Sequence, residues 1–408
     1  MPMNRRPISG QEAVADIRSG MSDRDLMTKY HLSAPGLLSL FSNLVQAGML
    51  KEAEVADRLA LATAEIDVDL TQLPIEAEPI PGGPTIKWKF KTDGWVFSSP
   101  VIAANTVFFG SRDGHLYSVD CDSGHLNWRF RTGDVIRSSP VYMSDTVYIG
   151  SWDRCLYAID ATTGKMRWRF PTMKEIWCAP AAREGTVYFT STDGYLYALD
   201  ARDGLARWKC KMGNPMFCWV ESAPVVFEDL ILCGRHDGRL VALDSSSGKL
   251  KWSFETKGPV DSSPLVADNT FFFGTQTGFL YALEAQTGEE KWRYDAKCPI
   301  YSCPAMLRGT VFFSSAGGNL HAVNAESGLE RWTFKSPKSF LSSPELSVNA
   351  VYFGSTDKFL HALDVESGEE LWRFETGNQI FSTPKVWDGV IYFGSNDSCM
   401  YALDEPFP

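Results

Sequence analysis

The stretch AIDATTGKMRW, residues 158–168, has counterparts along most of the chain, and it decides the fold. Aligned on its tryptophan, the copies follow one another at intervals of 40 residues, with a single interval of 44 residues. The tryptophans that mark the copies are Trp88, Trp128, Trp168, Trp208, Trp252, Trp292, Trp332 and Trp372. Self-similarity at a fixed period of this length is typical of repeat architectures.

Each repeat predicts four short β-strands. In the second repeat these are IRSSPVYM, DTVYIGS, RCLYAID and KMRWRF, between residues 136 and 170. Apolar residues alternate with small or polar ones, as half-buried strands require, and turns separate the strands. A period of about 40 residues that holds four strands is the pattern of a β-propeller blade. The sequence therefore predicts an all-β propeller.

The two ends of the repeat array predict how the ring closes. The last repeat has strands in FSTPKVW, GVIYFGS and CMYALD and then stops at Pro408. At the other end TIKWKF, residues 85–90, is a tryptophan strand with no repeat in front of it. Pairing this strand with the last repeat completes an eighth blade and removes the exposed sheet edges. We therefore expect eight blades, with residues 85–90 beside residues 399–404.

The turn before each tryptophan has a structural explanation. Asp160 is placed to accept backbone N–H groups, and Thr163 with Gly164 supplies a tight turn in which glycine tolerates a positive φ. Trp168 then lies on the outer strand, where we expect it to fill the wedge between neighbouring blades. We therefore interpret the eight tryptophans as docking residues between blades.

The spacing A-x-D-x-x-T-G-x-x-x-W resembles the tryptophan-docking motif of the eight-bladed propellers of the pyrroloquinoline-quinone (PQQ) type, over residues 85–408. That family includes quinoprotein alcohol dehydrogenases and the non-enzymatic outer-membrane assembly factor BamB. The resemblance implies the fold, whereas function depends on the site that a given member carries on it.

The enzymatic members of that family imply a disulfide between adjacent cysteines, a calcium site built from Glu, Asn and Asp, and an aspartate base. The nine cysteines here include no adjacent pair, and the repeat spacing leaves no room for long insertions around a cofactor. No two histidines have ligand spacing with a cysteine or carboxylate, and no phosphate-binding or nucleophile motif occurs. We expect a non-enzymatic protein without cofactor or metal, with a PQQ-dependent oxidoreductase as an alternative.

One face of a propeller collects the loops that enter the innermost strands and the hairpins between second and third strands. On those entering loops, the residue two places before each Ser/Ala/Cys/Thr–Pro pair differs from one repeat to the next. The residue three places before the pair is always apolar. Because this set contains both charged and aromatic residues, it could bind a ligand with polar and apolar parts. The alternative is that these side chains only plug the funnel. This candidate funnel ring consists of Phe97, Arg137, Trp177, Glu221, Asp261, Tyr301, Leu341 and Phe381.

Hairpin tips and the four-residue insertion within residues 211–224 form a candidate rim on the same face. It consists of Arg112, Trp152, Arg154, Phe217, Trp219, Arg235 and His236. We expect Trp152 to be exposed and to contact a partner. His321 and His361 occupy the position that tyrosine fills in other repeats, so we interpret them as core residues rather than ligands.

Residues 1–58 predict a small module of three helices, similar to helix-turn-helix domains. Residues 59–84, with five acids and four prolines, predict a linker, and residues 85–408 form the propeller. The helix expected at residues 34–46 has no basic residue, whereas DNA reading favours Arg or Lys there. We favour protein docking or self-association for this module, with nucleic-acid binding or a passive cap as alternatives.

Net charge and the distribution of apolar residues exclude some classes of function. A net charge of −11 argues against binding to nucleic acid or anionic membranes. No apolar segment is long enough to span a membrane or to act as a signal peptide, which predicts a cytoplasmic protein. We expect a scaffold or adaptor whose propeller face binds a protein or peptide and whose helical module recruits a second partner or another copy. A small-ligand sensor is the alternative.

Overall fold

The computed structural model describes residues 10–19, 21, 26, 29, 44, 50–51, 83–213, 222–336, 338–339 and 342–406. The chain divides into two units, Met1–Glu78 and Pro79–Pro408. In the first unit, helix α1 spans Gly10–Arg18 and buries Ala13, Val14 and Ile17. Most of the other two predicted helices and of the predicted linker lies outside the described residues, so the boundaries at residues 58 and 84 stay predictions.

The described residues of the second unit form eight four-stranded sheets, seven from consecutive strands and one from the last three strands together with the first. Blade one contains β2 (Val101–Ala103), β3 (Thr106–Gly110), β4 (His115–Asp120) and β5 (Leu126–Arg131). Blade two contains β6 (Val141–Met143), β7 (Thr146–Gly150), β8 (Cys155–Asp160) and β9 (Met166–Pro171). Blade three contains β10 (Ala181–Arg183), β11 (Thr186–Ser191), β12 (Tyr195–Asp200) and β13 (Ala206–Lys211). Blade four contains β14 (Val225–Phe227), β15 (Leu230–Arg235), β16 (Arg239–Asp244) and β17 (Leu250–Glu255).

The second half of the ring repeats the same plan. Blade five contains β18 (Leu265–Ala267), β19 (Thr270–Gly274), β20 (Phe279–Glu284) and β21 (Glu290–Asp295). Blade six contains β22 (Ala305–Leu307), β23 (Thr310–Ser315), β24 (Asn319–Asn324) and β25 (Glu330–Lys335). Blade seven contains β26 (Glu345–Leu346), β27 (Ala350–Gly354), β28 (Phe359–Asp364) and β29 (Glu370–Glu375). Blade eight contains β30 (Lys385–Trp387), β31 (Val390–Ser395), β32 (Cys399–Asp404) and, from the other end of the unit, β1 (Thr85–Lys91).

Closure of the ring through blade eight is confirmed. Strand β1 pairs antiparallel with β32, with Thr85 opposite Asp404 and Lys91 opposite Cys399. The innermost strand β2 contacts both β30 and β6, so blade one has a neighbour on each side. Across the same junction the Thr383 N–H donates to the Ser99 hydroxyl at 2.9 Å. The all-β eight-bladed propeller expected from the repeat is therefore the fold of this unit.

The innermost strands are shorter than the sequence predicted, because the Ser/Ala/Cys/Thr–Pro pair in front of each does not join the backbone ladder. Proline has no N–H to donate. Next to these prolines a side chain takes the place of a backbone acceptor, since the Ser98 hydroxyl accepts the Gly110 N–H at 3.1 Å and the Ser138 hydroxyl accepts the Gly150 N–H at 3.0 Å. These hydroxyls extend the sheet towards the funnel and fix the backbone of the entering loops.

Each docking tryptophan joins one blade to the next. The Trp168 indole donates its N–H to the Ala201 carbonyl at 3.0 Å, and an ideal Cβ on Gly204 would lie 2.7 Å from the same ring. The turn itself is held by Asp160, whose carboxylate accepts the Thr163 N–H at 2.8 Å. The Arg167 guanidinium and the donors of Thr163 hold the pKa of Asp160 below its ordinary range. The repeated motif therefore builds the frame.

Both predicted core histidines are buried between blades. His321 is 4% exposed, and its ring stacks on Phe313 with centroids 4.9 Å apart. Burial lowers the pKa of His321 to about 4. For His361 burial acts in the same direction, but hydrogen bonds to Asp357 and Glu370 outweigh it and raise the pKa.

The cysteines in the described part of the chain are all free thiols. Within the same residues, no helix combines the length and apolar character needed to cross a lipid bilayer.

Candidate functional site at the mouth of the funnel

The hairpin tips and the entering loops lie against each other at one end of the blades. The backbone N–H of Arg112 donates to the Trp95 carbonyl at 2.9 Å, and the backbone N–H of Trp152 donates to the Val135 carbonyl at 3.0 Å. Because the backbones are bonded, side chains of the candidate rim reach those of the candidate ring. The two sets that the sequence treated separately form one surface.

A continuous row of stacked side chains runs along this surface over four consecutive blades. Phe381 stacks on Phe97 with ring centroids 5.1 Å apart and planes 26° apart. The Arg137 guanidinium carbon lies 5.2 Å from the Phe97 centroid and 5.3 Å from that of Trp177. Trp177 stacks on Trp152 at 4.7 Å and 22°. We call these five side chains, from blades eight, one, two and three, the arginine–aromatic ladder.

A second arginine joins the ladder from the tip of blade one. The Arg112 guanidinium carbon lies 4.9 Å from the Trp95 centroid and 5.6 Å from that of Phe97. Trp95 keeps 43% of its surface exposed. The sequence prediction missed Trp95, although the position two residues before the ring also varies between repeats.

The expectation that Trp152 is exposed is wrong. Its side chain is half-buried, because the indole stacks face to face on Trp177 of the next blade. The indole N–H is buried and has no hydrogen-bond partner among the described residues. Trp152 therefore belongs to the ladder and is not an isolated aromatic on the rim.

A polar cluster occupies the part of the funnel formed by blades four to six. Asp261 is 3% exposed, accepts a hydrogen bond from the Gln276 amide, and has His236 Nδ1 3.6 Å from its Oδ1. Burial raises the pKa of Asp261, while Gln276 and His236 oppose that shift. Burial, together with the nearby Asp261 carboxylate, also raises the pKa of Tyr301. Gln276 was not among the predicted residues, because its contact with Asp261 spans a hairpin and a loop.

The remaining predicted residues have other surroundings. Arg154 is an exposed turn residue with φ of +71°, and among the described residues it makes no ring contact or ion pair with the ladder. Arg235 forms an ion pair with Asp237 in its own hairpin. The structure does not describe four of the candidate residues, which are Glu221, Leu341, Phe217 and Trp219.

The described residues do not fit the cofactor site that the enzymatic relatives imply. No group of three or more His, Cys, Asp or Glu side chains in this part of the chain is arranged to hold a metal ion. The described cysteines form no disulfide that could cover a quinone. The ladder side chains already stack on each other, so we derive no redox step at this site.

Comparison with known protein families agrees with this architecture. Residues 85–307 match the family described as the β-propeller of the beta-alanine-activating enzyme, and residues 346–406 match the family of the outer membrane protein assembly factor BamB. The chain therefore belongs to the PQQ-like, BamB-like eight-bladed propellers, in the family of the beta-alanine-activating enzyme propeller. No curated protein sequence matches it significantly.

Solved structures share the fold at low sequence identity. BamB from Moraxella catarrhalis superposes with a TM-score of 0.71 and 20% identity, over 79% of this chain and 100% of that one. The quinohemoprotein alcohol dehydrogenase from Comamonas testosteroni gives 0.68 and 16%, over 79% of this chain and 76% of that one. The computationally designed Ika8 protein gives 0.69 and 16%, over 76% and 96%. These similarities establish the fold alone.

Proposed function

We propose that this protein is a non-enzymatic cytoplasmic scaffold whose funnel mouth binds a protein or peptide. The arginine–aromatic ladder is the observation that carries the proposal. Tryptophan and arginine are the residues most enriched at the energetic centres of protein interfaces. In the ladder they are held in fixed stacked positions and are only half-buried, so a partner gains contact area at little cost in side-chain entropy.

The alternative, that the same side chains only plug the funnel, fits the ladder less well. A plug needs side chains that exclude water from the funnel. The ladder instead includes Arg137, with Arg112 beside it, and Phe97, Phe381 and Trp177 keep part of their surface in solvent. A partly solvent-exposed aromatic surface is better suited to binding a partner than to closing the funnel.

The test compares variants at the two ends of the blades. Arg137→Ala and Trp177→Ala alter the ladder, whereas Trp387→Ala removes an aromatic that is 51% exposed at the opposite end of an innermost strand. Quantitative affinity capture from the native cell, followed by binding of the purified partner, should show loss of the same partner in both ladder variants. The Trp387→Ala variant should keep it. Equal partner binding in all three variants, with unchanged thermal unfolding, contradicts the proposal.

We further propose that the N-terminal unit recruits a second partner or another copy of the chain. Support comes from its separation from the propeller as a distinct unit and from its balanced charge, with seven basic and seven acidic residues within residues 1–58. Deleting residues 1–58 should remove one set of partners, or halve the particle mass measured by light scattering, while ladder-dependent binding persists. An unchanged mass and unchanged partners would reduce this unit to a cap.

The polar cluster favours a second candidate function, the sensing of a small ligand in the funnel. Asp261 places a buried carboxylate, already supported by Gln276 and His236, where the repeat elsewhere has mostly aromatic residues. A cationic metabolite would find a preorganised partner there. In a thermal-shift screen of metabolites, a hit on the wild type that disappears in Asp261→Asn would favour this candidate, and a screen without hits would remove it.

A further inference from the structure

We propose that the funnel mouth recognises an acidic peptide segment, with a carboxylate held by the Arg112 guanidinium beside Trp95. The inference rests on the proposed function, because it names the class of partner that the same surface takes. The inference is argued from the fixed position of Arg112, from the lack of a carboxylate paired with it among the described residues, and from the exposed aromatic ring beside it.

Backbone packing fixes the position of Arg112. Its N–H donates to the Trp95 carbonyl at 2.9 Å, and the Ser111 hydroxyl donates to the Gly94 carbonyl at 3.2 Å. The loop and the hairpin tip approach so closely that an ideal Cβ on Gly94 would lie 2.4 Å from the Asp113 nitrogen. Glycine is therefore required at position 94, and the guanidinium is held over the Trp95 ring before any ligand arrives.

Stacking on an aromatic ring does not use the N–H donors of a guanidinium. A guanidinium that lies flat on an aromatic ring uses its face, while its N–H groups point outward in the fork geometry that matches a carboxylate. Arg167 and Arg207 on the outer strands pair with Asp160 at 2.7 Å and Asp200 at 2.9 Å. Among the described residues Arg112 forms no such ion pair, and its guanidinium lies over the rings of Trp95 and Phe97.

The acidic neighbour of Arg112 is engaged elsewhere. The Asp113 carboxylate accepts the Asp93 N–H at 3.0 Å, the His115 N–H at 2.9 Å and the Tyr117 hydroxyl at 2.8 Å. His115 Nδ1 also lies 3.2 Å from Asp113 Oδ1, so this carboxylate is engaged within the hairpin and by the loop of Asp93. The positive charge of Arg112 is therefore left for a ligand, although the chain as a whole carries a net charge of −11.

Aromatic rings beside Arg112 add an apolar preference to the preference for a carboxylate. Arg112 and Arg137 come from neighbouring blades and both lie over Phe97, at 5.6 Å and 5.2 Å from its centroid. Trp95, on the other side of Arg112, keeps 43% of its surface exposed. A short segment that carries a carboxylate for Arg112 and an apolar side chain for Trp95 suits both features.

The experiment selects 12-residue peptides from a random display library on the full chain and then measures their binding by fluorescence anisotropy. The enriched peptides should contain Asp or Glu next to an apolar residue. Changing that acid to Gln or Asn in the peptide should weaken binding about tenfold, as expected for a hydrogen bond to a charged group. Arg112→Gln should weaken the acidic peptide equally and should not weaken its neutral version, because the two changes remove one interaction.

The matched control is Arg331→Gln, which removes an exposed arginine from β25 on the outside of blade six and should leave peptide binding unchanged. Enrichment of peptides without acids, or equal binding by Arg112→Gln and wild type, overturns the inference. If such neutral peptides still lose binding in Trp177→Ala, the proposed function stands and only the acidic class is wrong. If no peptide is enriched, both fail. Competition by inorganic phosphate as strong as by the acidic peptide would indicate a simple anion site and also overturns it.

Discussion

Two docking tryptophans that differ in one hydrogen bond allow the interblade contact to be measured. The Trp168 indole donates to the Ala201 carbonyl at 3.0 Å, whereas the Trp372 indole N–H is buried without a hydrogen-bond partner among the described residues. Each ring lies against a tyrosine, with centroids 5.7 Å apart for Trp168 and 5.5 Å apart for Trp372, and the Trp168 ring also lies against Gly204 of the next blade. Replacing either by Phe removes the same side-chain atoms, so the largest expected difference between the two variants comes from the N–H group.

The expected difference follows from the contacts. Trp168→Phe loses a hydrogen bond with a net value of about 1 kcal/mol, because the Tyr148 hydroxyl still donates to the Ala201 carbonyl at 3.1 Å. Trp372→Phe removes a buried unpaired donor, which offsets about 1–3 kcal/mol of its cavity cost. Trp168→Phe should therefore lower the free energy of unfolding by roughly 2 kcal/mol more than Trp372→Phe.

Urea unfolding followed by far-ultraviolet circular dichroism measures this difference, provided that both variants keep the slope of the wild type. An equal loss of stability in the two variants would show that the indole hydrogen bond does not hold the blades. A larger loss in Trp372→Phe would refute the reasoning altogether.

Three further predictions concern the pH response, the closure and the loop of blade one. Burial lowers the pKa of His321 from 6.5 to about 4, so below pH 6.5 this histidine is protonated in the unfolded chain before it is protonated in the folded one. The free energy of unfolding therefore falls on acidification, by about 2 kcal/mol at pH 5. In His321→Tyr the free energy of unfolding, measured by urea at pH 5 and pH 7.5, should fall by about 2 kcal/mol less than in the wild type. An unchanged pH dependence in this variant contradicts the prediction. Deleting residues 1–92 removes β1 and should lower the free energy of unfolding by at least about 3–5 kcal/mol through the loss of buried Trp88 alone. Deleting residues 1–82 spares β1 and serves as the control. Equal melting temperatures of the two variants would exclude closure by β1. Gly94→Ala should destabilise the propeller by about 1–3 kcal/mol and weaken ladder-dependent binding, since its Cβ meets the Asp113 nitrogen; wild-type behaviour in both assays would show that the loop has room to move.

The frame could be predicted from the sequence because it is specified locally and repeatedly. The aspartate, glycine and tryptophan of each repeat act within one turn and the next blade, so their period gives the blade number and the closure through β1. The short innermost strands were not predicted, because the Ser98 hydroxyl replaces a backbone partner there.

The candidate site could be predicted only in part. Residues that vary against a constant repeat, such as Phe97 and Arg137, stand out in one sequence. Which of them touch depends on distances between blades, so neither the stack of Trp152 on Trp177 nor the part played by Trp95 could be deduced. BamB and a quinohemoprotein alcohol dehydrogenase share this frame at 20% and 16% identity, so the frame alone does not specify a function.

Site-specific photocrosslinking tests the binding role of the funnel mouth most directly. The photoreactive residue p-benzoyl-phenylalanine is placed at position 97 in the ladder or, as a control, at position 387 at the opposite end of the blades, and the full chain is irradiated in its native cell. The proposal predicts a discrete crosslinked partner from position 97 that is absent from position 387 and is lost when Arg137→Ala is added. Crosslinking from position 387 alone, or from neither position, would contradict it.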